Sequence, residues 1–127
     1  MTEAHTSDRR AFFEHFVELM YRRLDVRAAF DTYVAEDYIQ HNPGLADGRD
    51  AARDALATMF GDPSFDIDVV RMLVDGDLCA LHLRPRRDGH AVAAVVDIFR
   101  AEGDRIVEHW DVIQPWPATS ANDHPMF

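Results

Sequence analysis

The sequence predicts an α+β fold: helices first, then a sheet of antiparallel strands packed against them. Three observations carry this. Apolar side chains recur at helical spacing from Phe12 to Met59. From Phe65 onward they alternate in short runs instead. Turn signals punctuate that second half at Asp75-Gly76, at Arg86 to Gly89 and at Glu102-Gly103-Asp104. Helices followed by hairpin-linked strands fold as helices laid on one face of a curved meander.

Each element has a local reason. Ser7 offers a cap, and a first helix runs from Asp8 to about Arg23 with Phe12, Phe16, Leu19, Met20 and Leu24 on its apolar face. Asp25 caps a second helix, Val26 to about Val34, which buries Ala29, Phe30, Tyr33 and Val34. Pro43-Gly44 breaks the chain, and Asp47-Gly48 opens a third helix over Arg49 to Phe60, with Ala52, Ala55, Leu56 and Met59 inward. Strands follow over Phe65 to Val74, Asp77 to Arg84, His90 to Ala101 and Arg105 to Gln114. Pro115 and Pro117 stop the last one. The whole chain, 1–127, reads as one domain with an irregular tail over 117–127.

Composition narrows the function. The chain has 127 residues, 23 acids and 13 bases, a formal net charge of −10. Such a balance disfavours nucleic acid and anionic membrane as partners. All 13 bases are arginine, which excludes Schiff-base chemistry on a lysine and a P-loop. The lone Cys79 has no disulfide partner and reads as a small buried hydrophobe. No apolar run reaches membrane-spanning length, and Met1 to Ser7 lack the apolar core of a secretory leader, so the expectation is a cytoplasmic protein.

Residues two apart on a strand share a face. Asp97 therefore goes with Val95 and Phe99, and His109 with Val107, Asp111 and Ile113. A three-residue loop at Glu102 to Asp104 sets Asp97 opposite His109 and Val95 opposite Asp111. A four-residue turn at Arg86 to Gly89 sets His82 opposite Ala93, on the same face. The outcome is an imidazole–carboxylate cluster among apolar neighbours, a candidate proton-transfer centre. The bland alternative is a solvated sheet face. His41 and Asn42 precede Pro43 in extended or turn geometry, beside Tyr38; Asn42 could donate to a substrate oxygen, although Asn-Pro-Gly is also a plain turn-former. His82 fits a satisfied core or edge histidine as well. His41, His82 and His109 with a carboxylate could offer a metal set, but they lack ligand spacing, and no metal site is assigned.

Tyr38-Ile39-Gln40-His41-Asn42-Pro43, Val96-Asp97-Ile98-Phe99-Arg100 and Ile106-Val107-Glu108-His109-Trp110-Asp111 resemble the SnoaL-like polyketide cyclase branch of the nuclear transport factor 2-like superfamily. The resemblance extends from the first helix to Gln114. It implies a cone-shaped barrel, three N-terminal helices on a strongly curved antiparallel sheet, with an apolar pocket between them. It implies a homodimer through the outer sheet face, where Ile98, Trp110 and Val112 would lie. It also implies aldol-type acid–base chemistry without metal or cofactor on a small hydrophobic carbonyl compound. Carried over by position, Asp111 is the acid/base and His109 its neighbour, while Asp97 stands where the cyclases carry a second histidine. The catalytic candidates are thus Asp111, His109 and Asp97, and the substrate-binding candidates His41, Asn42, Tyr38, His82 and Phe99. The rivals are a ketosteroid-isomerase-like enzyme using Tyr21 and Asp97 as donors, and a non-catalytic binding protein of the same fold. An epoxide hydrolase would want arginine where Val95 stands.

Overall fold

A computed structural model describes residues 2–127, with side chains described from Asp8 onward. Helix α1 (Thr2–Val17) runs straight into a π-helical turn (Glu18–Arg22), closed by Arg23 N–H donating to the Glu18 carbonyl at 2.9 Å. The helix begins before Asp8, so Ser7 lies within it rather than at its start, and the Ser7 side chain lies outside the described residues. The buried stripe is Phe13, Phe16, Val17, Met20 and Tyr21, with Phe12, Leu19 and Leu24 at its margin. It is rotated by about one position from the expected face, because Tyr21 turns inward and finds an acceptor there.

Helix α2 (Val26–Tyr33) starts where Asp25 accepts the Ala28 N–H at 3.1 Å, as its sequence predicts. Strand β1 (Val34–Gln40) follows directly, an element absent from the sequence reading. Helix α3 (Arg49–Phe60) buries Ala52 and Phe60, while Ala55 and Met59 stay exposed. The remaining strands are β2 (Phe65–Asp75), β3 (Leu78–Arg87), β4 (His90–Ala91), β5 (Ala93–Glu102) and β6 (Arg105–Pro115).

The six strands form one sheet in the order β1-β6-β5-β3-β2, with β4 paired to β3. β1 runs parallel to β6, and every other pairing is antiparallel. Helices packed on a curved sheet are the expected architecture; the sheet is mixed and not closed, because β1, which precedes α3, joins β6 in parallel through a crossover and not through a hairpin. The core between helices and sheet holds Phe13, Phe16, Phe30, Tyr38, Leu81, Leu83 and Ile106, all at most 1 % exposed.

Two bulges set which side chains face this core. The β5–β6 turn holds two residues, Gly103 and Asp104, between the pair Glu102 and Arg105. Such a tight turn alone would reverse the expected facing. One extra residue, Val107, sits between the pairs Ala101–Ile106 and Arg100–Glu108 and restores it. The β3–β4 turn at Asp88-Gly89 is likewise two residues long, with positive φ at both, and Val92 is the extra residue before β5. His82 consequently pairs with Val96 instead of Ala93 and faces outward.

After Pro115 the chain is irregular and returns across that outward face. Phe127 stacks on Trp116 at 6.0 Å between ring centres and lies under the Arg84 guanidinium at 5.4 Å. The basic run at Arg84 to Arg87 is matched across β2 by Asp66, Asp68 and Asp62. Among the described residues no helix is long and apolar enough to cross a membrane.

Candidate functional site

The inward faces of β5 and β6 meet at three cross-strand pairs: Val95 with Ile113, Asp97 with Asp111, and Phe99 with His109. Asp97 thus stands opposite Asp111 rather than opposite His109, a shift of two residues from the expected register that leaves all three ionisable groups on one face. His109 is 5 % exposed, held between the rings of Phe99 (4.8 Å between centres) and Tyr38 (6.3 Å, near-parallel). Val107, expected beside it, is instead the bulged residue and lies off the cavity wall.

A continuous hydrogen-bond network joins these groups to β1 and the π-helical turn. Tyr21 donates its hydroxyl proton to Asp97 Oδ2 at 2.5 Å. His109 Nε2 lies 3.2 Å from Asp97 Oδ1 and 4.0 Å from Asp111 Oδ2. On the ring's other side, His109 Nδ1 lies 2.8 Å from Gln40 Oε1. Asn42 Nδ2 donates to Asp111 Oδ2 at 2.6 Å. The Asn42 amide is oriented from behind, because its Oδ1 accepts the Gly44 backbone N–H at 2.7 Å.

These groups form the polar end of an apolar cavity of about 370 Å³ between α3, the π-helical turn and the curved sheet. Met20, Leu56, Met59, Phe60, Ile67, Leu83, Val95 and Ile113 line the remainder. A mostly apolar pocket with a few convergent polar groups is the usual form of a small-molecule site. Burial raises the Tyr21 and Tyr38 hydroxyls well above the ordinary tyrosine range, and the Asp97 carboxylate adds to the rise in both. Both phenols therefore remain protonated donors.

Tyr38, Asn42 and Phe99 line the cavity, as do Asp97, His109 and Asp111. His41 and His82 do not. His41 stacks on Trp110 at 4.9 Å and bonds Glu108 Oε2 at 2.7 Å on the opposite side of the strand. That bond, with help from Arg100, holds the Glu108 carboxyl below its usual range. His82 contacts Arg71 at 2.9 Å and Phe127 on the outward face. The three-histidine metal set is thus dispersed over separate faces. A different set of ligand-type atoms does converge: one each from Asp97, His109 and Asp111, all within 4.8 Å of one another.

Sequence reasoning missed Gln40. The signal was the alternation within 38–42, which puts Tyr38, Gln40 and Asn42 on one side and Ile39 and His41 on the other. Cys79 is fully buried, and its thiol is pushed up to about 12 by burial, which makes it an unreactive core residue.

The sequence matches a family model described as a SnoaL-like domain over residues 10–109. No curated protein matches it. Solved structures resemble it in fold. An NTF2-like protein of unknown function from Mesorhizobium loti superposes with a TM-score of 0.73 at 19 % identity, covering 86 % of this chain and 93 % of that one. A SnoaL-like polyketide cyclase candidate from Jannaschia sp. CCS1 gives 0.64 at 16 % identity, covering 81 % and 85 %. An LEH-like epoxide hydrolase from M. tuberculosis gives 0.63 at 20 % identity, covering 84 % and 78 %.

Proposed function

The chain belongs to the SnoaL-like domain family, and from that starting point we propose that it is an enzyme that moves a proton at the carbon next to a carbonyl, in enolate or aldol chemistry on a small hydrophobic compound. One observation carries the reading: two carboxylates and an imidazole meet at the polar end of an otherwise apolar cavity. Buried ionisable groups that share protons at such a place are suited to acid–base work.

Asp111 is the base. Its Oδ2 is occupied by the Asn42 amide, which leaves Oδ1 to take the proton. The substrate C–H bond breaks, an O–H bond forms on Asp111, and the electron pair enters the enolate. The enolate carbon then attacks a second carbonyl, and the resulting alkoxide recovers the proton from Asp111. His109 supplies the charge that compensates the two carboxylates, and Tyr21 stabilises Asp97 through its hydroxyl. The sequence of steps needs no cofactor.

Two rivals are weaker on specific grounds. An isomerase using Tyr21 and Asp97 as paired donors needs the Tyr21 hydroxyl free, yet that hydroxyl is engaged by Asp97. An Asp-Arg-Asp epoxide hydrolysis needs an arginine at the wall, where Val95 stands, and no arginine lines the cavity among the described residues.

The test is proton exchange in D2O with benzoylacetone as the probe, followed by NMR. Wild-type protein is expected to accelerate deuterium uptake at the carbon between the two carbonyls, and Asp111→Asn to abolish the acceleration. Binding of the probe without acceleration by either protein would favour a carrier of the same fold.

A further inference from the structure

We infer that Gln40 is a positioning residue: its side-chain oxygen holds the His109 ring in the form whose Nδ1 carries a proton, so that Nε2 is the nitrogen that exchanges a proton with the two carboxylates.

The argument begins with an unambiguous donor. The Asn42 backbone N–H points at one terminal atom of the Gln40 amide, 2.9 Å away. A backbone N–H can only donate, so that atom is the oxygen. The other terminal atom is then Nε2, and it donates to the Tyr38 hydroxyl at 3.2 Å. The same Gln40 oxygen lies 2.8 Å from His109 Nδ1. An amide oxygen only accepts, so Nδ1 must supply a hydrogen. With Nδ1 bare, two lone pairs would face each other around a buried ring. Nε2 also meets an acceptor, Asp97 Oδ1, but at a longer 3.2 Å and on a carboxylate that already accepts from the Tyr21 hydroxyl. The shorter 2.8 Å contact to Gln40 therefore keeps the last ring proton on Nδ1 by about tenfold or more.

The consequence appears on the other side of the ring. Nε2 is 3.2 Å from Asp97 Oδ1 and 4.0 Å from Asp111 Oδ2. With Nδ1 committed to Gln40, any proton gained or lost by the ring passes through Nε2, the nitrogen between the two carboxylates. Gln40 reaches this place because β1 runs parallel to β6 with Gln40 in register with His109. Its backbone is held as well, since Gln40 N–H donates to Asp47 Oδ1 at 2.8 Å.

The catalytic importance of this arrangement rests on the proton-transfer reading, but its test needs no substrate. The full chain, labelled with 15N-histidine, is followed by long-range 1H–15N correlation across a pH series until the ring is singly protonated, and the His109 signals are assigned by their loss in His109→Gln. In the wild type the single remaining proton is expected on Nδ1. Gln40→Glu keeps an acceptor oxygen and is expected to preserve that form. Gln40→Met, of similar size without an acceptor, is expected to shift the tautomer ratio by about tenfold or more. A bare Nδ1 in the wild type, or an unchanged ratio in Gln40→Met, overturns the assignment. If Gln40→Met does not fold, the wild-type spectrum decides alone. A correct tautomer in a protein that never accelerates exchange would leave this assignment standing and remove the proposed function.

Discussion

Asp97 and Asp111 stand directly opposite each other on neighbouring strands, both turned toward the cavity, with the His109 Nε2 atom 3.2 Å from one and 4.0 Å from the other. Two carboxylates this close repel unless a positive charge or a shared proton lies between them. The imidazole is the group placed to supply it. The two acids are nonetheless unequal. Asp97 is tied to Tyr21 and His109, whereas Asp111 is held by Asn42 alone at hydrogen-bond distance.

That inequality predicts unequal variants. Asp111→Asn is expected to lower proton-exchange activity by about 10²–10⁴-fold, the range for a lost general base. Asp97→Asn is expected to cost less, and the double variant about as much as Asp111→Asn alone, because groups that act as one unit are not additive. Initial rates of the three variants check this; equal losses for the two single variants would contradict it.

Tyr21 bears on stability more than on chemistry. Tyr21→Phe removes one donor to a largely buried carboxylate, and the expected loss is about 1–3 kcal/mol of folding free energy in urea titration. An unchanged unfolding midpoint would show that water replaces the hydroxyl without cost.

Alkaline pH should unfold the protein earlier than its acidic composition suggests. The Cys79 thiol is raised from 9.0 to about 12, and the Tyr21 and Tyr38 hydroxyls are raised as well, each chiefly by burial. A group whose folded value lies above its unfolded one adds stability below the unfolded value and loses it as pH rises through the folded value. Stability is therefore expected to fall from about pH 9 upward, as the unfolded chain releases protons that the folded chain retains. Urea midpoints between pH 7 and 11 check the slope. In the same experiment Cys79 should react with a thiol reagent only after unfolding.

Zinc offers a further test of the cluster. Asp97, His109 and Asp111 present one carboxylate, imidazole or carboxylate donor each within 4.8 Å, so added Zn²⁺ should displace the shared proton and inhibit exchange. EDTA is expected to relieve that inhibition and to leave the untreated protein unaffected. Activity lost on EDTA treatment and restored by a metal would replace proton transfer with metal chemistry.

The sequence revealed what repeats and concealed what is irregular. Helices α2 and α3 were legible because caps and periodicity act within a few residues, as with Asp25 at the start of α2. The shared face of Asp97, His109 and Asp111 was legible because alternation survives a two-residue register error. The pairing itself was not, since it depends on the bulge at Val107, and the bulge at Val92 turned His82 outward. Strand β1 was hidden for the same reason. Between the pairs Val34–Ile106 and Ile39–Glu108 it advances five residues against two, so no period survives there, and Glu36 and Asp37 face solvent. With β1 unseen, Gln40 had no partner and His41 was placed at a pocket it does not touch.

The bulge at Val107 separates two properties that usually travel together. Deleting that one residue would bring Ile106 next to Glu108 and leave every observed pair on both sides intact, Asp97 with Asp111 included. What would disappear is the local bend and added twist that a bulge gives its strand. The acids would still face each other, across a shallower bowl. Acids and container are written in different residues of one hairpin, and the size of the cavity is open to change by a single codon that leaves the inward-facing acids in place.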